Sequence, residues 1–286
     1  MSFKVFRCCL LVILSCCFGS KVFSQNEIVG KVLDANSSEV IPYVNIGVEG
    51  KNIGTISKDD GSFRIQLTNK LQGASITFSC VGFEKKTVAI SALKKNPEVT
   101  LTPNILMLDE VVLSEFKKQK RIDKKLGGYK KTWFNTGEAN TDSYGQGKEY
   151  GLKIESPGVE YKIEKINFSL SENTIDSVLF RINIYKLTSD GEPTNSILPE
   201  QLFVKTYKGE HLVSADVSKI PLNIDEDIMV SIEPVRLWYD VKNDNQLFYA
   251  QAKGKNQSYL RNSSLSNWIK NELPPFSIFL DVFYYK

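Results

Sequence analysis

Few residues in this 286-residue chain have the type and spacing for chemistry. His211 is the single histidine, which argues against a Ser-His-Asp triad, a multi-histidine metal site or an HExxH pair. It follows Lys208-Gly209-Glu210 and reads as an exposed or capping residue at a strand start. Asp225-Glu226-Asp227 is a tight acidic cluster. Glycosidic cleavage needs two carboxylates about 5–10 Å apart across a cleft, usually from different strands, so contiguous acids before a strand read as a solvated turn. Asp59 and Asp60 could offer oxygens to calcium, but too few oxygens converge in sequence for a calcium loop. Cys80 shares a strand face with Ile76 and Phe78 and reads as a buried small hydrophobe, not a nucleophile. The expectation is no catalytic residue, no metal and no cofactor.

Binding chemistry has better candidates. Between Gly137 and Gly151 lie Asn140, Asp142, Tyr144, Gln146 and Tyr150. Amides bond sugar hydroxyls while aromatic rings stack on their CH faces, and the stretch is expected as a surface loop. Trp238 and Tyr239 follow Pro234 and precede a second irregular loop, Asp240–Asn245. The expected ligand-binding residues are Trp238, Tyr239, Tyr144 and Tyr150. Trp133 and Trp268 are assigned to the core.

The elements that carry these residues alternate with a period of two, the mark of half-buried strands. Val44, Ile46 and Val48 oppose Asn45, Gly47 and Glu49, and Phe63, Ile65 and Leu67 repeat the pattern. Lys58-Asp59-Asp60-Gly61 has the composition of a tight turn. Six or seven short strands between residues 25 and 113 indicate a small β-sandwich.

Five segments there resemble carboxypeptidase regulatory-like domains. Ile28–Asp34 matches a G-x-V-x-D opening strand, and Ile41–Val48 a second strand with Pro42 and Asn45. Gly54–Phe63 matches G-T-x-T-D-x-D-G-x-F, with Ser57 and Lys58 where Thr and Asp are usual. Phe78-Ser79-Cys80-Val81-Gly82-Phe83 and Leu108–Leu113 complete the set. The resemblance implies a seven-stranded, prealbumin-like sandwich without catalysis. The same module precedes the plug of TonB-dependent outer-membrane receptors. At about 10 residues per strand plus loops, 286 residues are too few for their 22-stranded barrel, so the receptor function is not carried over.

Residues 114–128 hold six basic and two acidic side chains and end in Gly127-Gly128, as expected of a basic linker. From 129 to 286 alternation resumes. Phe180, Ile182 and Ile184 oppose Arg181, Asn183 and Tyr185; Ile228, Val230 and Ile232 oppose Met229, Ser231 and Glu233. Tyr161 and Ile163 precede Ile166, Phe168 and Leu170 with a change of phase. The expectation is an all-β chain, the prealbumin-like sandwich being followed by a larger, jelly-roll-like one.

Residues 1–24 have a basic start at Lys4 and Arg7 and about a dozen apolar residues, the pattern of a signal peptide. Lys4, Arg7 and Lys21 are three of the 36 basic residues, and without them 33 bases face 33 acids. The pI near 8.4 is then no argument for nucleic acid. No later stretch is apolar enough for a transmembrane helix after cleavage. The chain is therefore expected in the periplasm or at the outer membrane or cell surface, binding a glycan or an envelope protein. A structural subunit of a surface assembly and a carboxylate-dependent glycan hydrolase are the alternatives. The leader is expected to be cut before Gln25. N-terminal sequencing of envelope-derived protein checks this: a start at Cys16 with added lipid mass marks a lipoprotein, and an intact Met1 marks an anchor.

Overall fold

The computed structural model describes residues 27–68, 71, 73–104, 120–138, 147–272 and 274–286, with the backbone alone over 133–138. The leader, the Leu108–Leu113 motif, Tyr144 and the side chain of Trp133 lie outside the described residues.

The first sandwich contains β1 (Glu27–Asp34), β2 (Asn45–Gly47), β3 (Gly54–Ile56), β4 (Ser62–Gln66), β5 (Ser75–Ser79), β6 (Lys86–Ala89) and β7 (Glu98–Leu101). One helical turn, α1 (Ile90–Leu93), precedes β7. The strands form two sheets, β4-β1-β7 and β3-β2-β5-β6. Val32, Ile46, Phe63, Ile76, Phe78 and Leu101 fill the space between them. The Lys58–Gly61 turn closes as its composition requires: Gly61 has φ 73°, and Asp60 Oδ1 accepts from the Ser62 amide at 2.9 Å.

The second sandwich contains β8 (Arg121–Gly127), β9 (Lys131–Glu138), β10 (Glu149–Ile154), β11 (Lys162–Asn173), β12 (Ser177–Leu187), β13 (Pro193–Ser196) and β14 (Leu202–Tyr207). It continues with β15 (Leu212–Asp216), β16 (Ile228–Trp238), β17 (Leu247–Ala252), β18 (Ser258–Arg261), β19 (Ile269–Asn271) and β20 (Ile278–Tyr285). One sheet has the order β13-β12-β16-β10-β18-β19, with β14 also on β12; the other is β8-β20-β11-β17-β9, with β15 also on β11. Phe168 of β11 meets Phe180 of β12 edge-on at 4.9 Å, and Tyr150 of β10 meets Tyr249 of β17 at 4.3 Å. Side chains of both sheets thus share one core. The change of phase after Ile163 is a bulge, where the β11–β20 register shifts between Ile163 and Lys165.

Two sequence expectations change here. Residues 114–128 are not a tether throughout, because Arg121–Gly127 is β8, an edge strand paired along its length with β20. Only Leu126 of that strand is buried, and cross-strand charges hold the rest: Lys125 bridges Asp281 at 2.5 Å and Arg121 bridges Glu164 at 2.8 Å. The loop expected over Gly137–Gly151 also ends early, since Glu149, Tyr150 and Gly151 belong to β10.

The sandwiches are joined by more than the chain. Phe180, Ile182 and Ile184 point into the core, which leaves Arg181, Asn183 and Tyr185 on the outer face of the sheet. That face is covered: these three residues are buried, as are Ser231 and Glu233 beside them. Arg181 Nε and Nη2 donate to Glu233 Oε2 at 2.9 and 2.6 Å. Its Nη1 donates to the Tyr43 carbonyl and to Gln201 Oε1, and Nη2 also to Asn45 Oδ1 at 2.6 Å. Tyr43 packs edge-on against Phe203 at 5.3 Å within a small apolar cluster that includes Ile56 and Val235. Ser264 presses its backbone onto β2 and β3. A Cβ at Gly47 would lie 2.5 Å from the Ser264 carbonyl oxygen, and one at Gly54 would lie closer still.

Removing Arg181 leaves Glu233 buried and without its cation. Arg181→Ala is expected to cost about 3–5 kcal/mol, while Arg181→Met with Glu233→Leu costs less than Arg181→Ala alone; urea unfolding of the three variants measures this. A second expectation concerns Cys80, whose thiol burial pushes from 9.0 up to about 11, partly offset by Arg181. The unfolded chain releases this proton first, so the folded state loses stability as pH climbs across that window. At pH near 8, an electrophilic thiol reagent should label the folded protein at least on the order of a hundredfold more slowly than the urea-unfolded chain.

Candidate functional site

Where the first sandwich stops covering the outer face of the seven-stranded sheet, a cleft of about 530 Å³ opens. β2 and the β5–β6 region supply Asn45, Ser79 and Lys85, and β12 supplies Asn183 and Tyr185. β18 and the turn after it supply Arg261, Asn267 and Trp268. Each side chain is aimed by local backbone. Asn183 and Tyr185 lie on the outward phase of β12, two residues apart as Arg181 and Asn183 are. The 262–268 turn is pinned by the Gly50 amide on the Leu265 carbonyl at 3.0 Å, and by Ser264 Oγ on Asn45 Oδ1 at 3.1 Å.

Behind the cleft lies a buried ionic network. Glu149 accepts from Tyr185 Oη at 3.0 Å, from Ser231 Oγ at 2.7 Å and from Arg261 Nη2. Arg261 also lies 4.7 Å from the centre of the Trp268 ring, which meets Tyr185 edge-on at 5.7 Å. Burial, reinforced by the Glu149 charge, holds the Tyr185 phenol well above its usual range. Burial likewise raises Glu233, against the pull of Arg181. Asn183 is 4% exposed, and its Nδ2 has no hydrogen-bond partner in the protein. A buried amide donor without an acceptor costs free energy, and Asn183 carries that cost in the lining of the cleft.

Sequence reasoning placed the candidates differently. Tyr150 is 2% exposed and packs between Tyr249 and Phe276 in the core, so it is no ligand contact. Trp268, assigned to the core, is half-buried: it packs against the cluster of Tyr185, Met229 and Tyr259 and also lines the cleft. Trp238 is half-buried, with Lys205 Nζ 4.3 Å and the Arg236 guanidinium 4.6 Å from its ring centre. Tyr239 is exposed next to it. These two lie at the opposite end of the β12–β16 pair from the cleft, because Ser177 pairs with Trp238 and Tyr185 with Met229. Asn183 and Arg261 carried no motif; the one available signal was the polar phase of β12.

Asp227, Glu226 and Asp59, singled out from sequence, are engaged structurally. Asp227 pairs with Lys153 at 2.8 Å and accepts from the Ser156 amide, and Glu226 pairs with Lys186 at 3.1 Å. Asp59 pairs with Arg236 across the seam. His211 is exposed, with Nδ1 3.2 Å from the Leu170 carbonyl.

Residues 28–113 match the family model described as the CarboxypepD_reg-like domain. Over 115 residues the chain is 29% identical to a TonB-dependent receptor of Formosa agariphila, a stretch that is 40% of this chain and 11% of that receptor. The chain therefore spans only a small part of the receptor's length. A structure of infectious bursal disease virus, Gx strain, aligns over 91% of this chain and 78% of its own at 9% identity, with a TM-score of 0.26 that supports no argument about the fold. The Gly61 turn and the two packed sheets of the first sandwich agree with the match to the CarboxypepD_reg-like model.

Proposed function

We propose that this chain is an exported, non-catalytic binding module of the Gram-negative envelope, and that it holds a glycan in the cleft between its two sandwiches. The observation that carries this reading is a cleft lined both by Asn183, whose buried Nδ2 has no partner in the protein, and by the half-buried ring of Trp268. A donor and an aromatic face in one cleft suit a sugar ring, whose hydroxyl accepts while its CH face packs. The CarboxypepD_reg-like domain and the partial likeness to a TonB-dependent receptor favour the envelope. A hydrolase reading is weaker, because Glu149 behind the cleft is fully buried and already takes three donors, and the two carboxylates of the lining, Glu49 and Glu192, are each paired with a lysine.

A docking reading rests on a separate observation. Tyr207 and Tyr239 are exposed beside Trp238 at the far end of the same sheet face, a composition that suits a protein partner. One experiment separates these readings. The purified protein is applied to a glycan array, alongside Trp268→Ala and Trp238→Ala variants checked for folding. Trp268→Ala is expected to weaken retained glycans at least about tenfold, and Trp238→Ala by less than about twofold. The reverse order moves the site to the Trp238 strip. Absence of any retained glycan overturns the glycan reading, and release of new reducing ends on long incubation overturns the non-catalytic one.

A further inference from the structure

Resting on the glycan reading, we infer that the cleft selects an uncharged saccharide, with Asn183 as the residue that determines this specificity. Four charged residues line the cleft: Glu49, Lys85, Glu192 and Arg261. Every one of them already has an opposite charge. Lys85 pairs with Glu49 at 3.0 Å, Glu192 with Lys270 at 2.8 Å, and Arg261 with buried Glu149. An acidic sugar would therefore leave water without meeting a free cation, unless it displaced one of these carboxylates. Displacing Glu149 would strand a carboxylate that is 0% exposed, which costs far more than a sugar carboxylate returns. The Lys85–Glu49 pair is exposed on both sides and lies in water, where an exchange of anions gains little.

The uncharged groups remain. Asn183 Nδ2 has no partner, nor has Nε of Arg261, whose charge Glu149 already balances, and Asn195, Asn267 and Ser79 also line the cleft. The amides and the hydroxyl donate and accept hydrogen bonds without net charge, as a hydroxyl-rich ligand requires. The half-buried ring of Trp268 completes the arrangement, its π face already drawing on Arg261. An uncharged sugar satisfies the Asn183 donor and leaves all three ion pairs in place.

The test uses titration calorimetry of the whole protein with two panels of equal length. One panel holds hexasaccharides of glucose, mannose, xylose and galactose, and the other holds hexasaccharides of galacturonate, mannuronate and guluronate. The expected result is binding within the first panel, at least about tenfold weaker binding across the second, and less than about a twofold change in Kd between about 50 and about 500 mM salt. Asn183→Leu, of the same branched shape without the donor, is expected to weaken the best neutral ligand at least about tenfold. Tighter, salt-sensitive binding of a uronate overturns this inference while the glycan reading stands. Binding of neither panel overturns the glycan reading itself. The salt and panel arms need no variant, so a misfolded Asn183→Leu protein does not remove the test.

Discussion

A guanidinium carries five N–H donors in one plane, and burying it is tolerable only if all five find acceptors. Arg181 meets that condition with groups from both sandwiches. Three of its hydrogen bonds go to Glu233 and Gln201, on its own side of the seam, and two to Tyr43 and Asn45, on the other. A single placement of β2 over β12 brings the Tyr43 carbonyl and Asn45 Oδ1 to the same plane. Shifting the first sandwich by one residue would turn Asn45 to the opposite face and leave a buried cation short of acceptors. The pair works as a register pin more than as a source of stability. Glu233 Oε1 has no partner, so part of the desolvation cost of this carboxylate stays uncompensated, in keeping with its raised pKa.

The 262–268 turn ties the pin to the cleft. Ser264 sits against Gly47 and Gly54, and its hydroxyl shares Asn45 Oδ1 with Arg181. A side chain at either glycine would lift the turn, and Trp268 follows Ser264 by four residues. Motif positions that a free-standing domain would use only for its own strands here create flat backbone for another domain to lie on. Seam and cleft are therefore one mechanical unit: what seats the first sandwich also sets where Trp268 stands relative to Asn183.

The sheets were largely legible in the sequence, because period-two alternation reports which side chains face a core. Phe180, Ile182 and Ile184, the change of phase after Ile163 and the buried Cys80 all follow from it. Alternation does not report what covers the other face. Arg181, Asn183 and Glu233 sit on the phase that an open sheet leaves to water, and their burial is a fact about the partner sandwich, more than a hundred residues away in the chain. Tyr150 failed for the converse reason: tyrosine next to polar residues resembles a recognition loop, yet its ring fills the gap between Tyr249 and Phe276. β8 was hidden because an edge strand needs few apolar residues. Its alternating charges read as a solvated tether until Asp281 and Glu164 are seen opposite them.

The seam also accounts for the electrical character of the cleft. Two sheets meeting face to face trap whatever polar side chains lie on the buried phase, and each trapped charge must be neutralised locally. Glu233 took Arg181, and Glu149 took Arg261. Arg181 lies under the cover, and Arg261, although it lines the cleft, has its charge balanced by Glu149 behind it. Hydrogen-bonding capacity behaves otherwise, because a strand that crosses from covered to open face carries its polar phase with it. Asn183, two residues along β12 from Arg181, is buried in the lining of the cleft and its Nδ2 has no partner. A neutral, amide-lined cleft is thus what remains when two β-sandwiches spend their charges on holding each other in register.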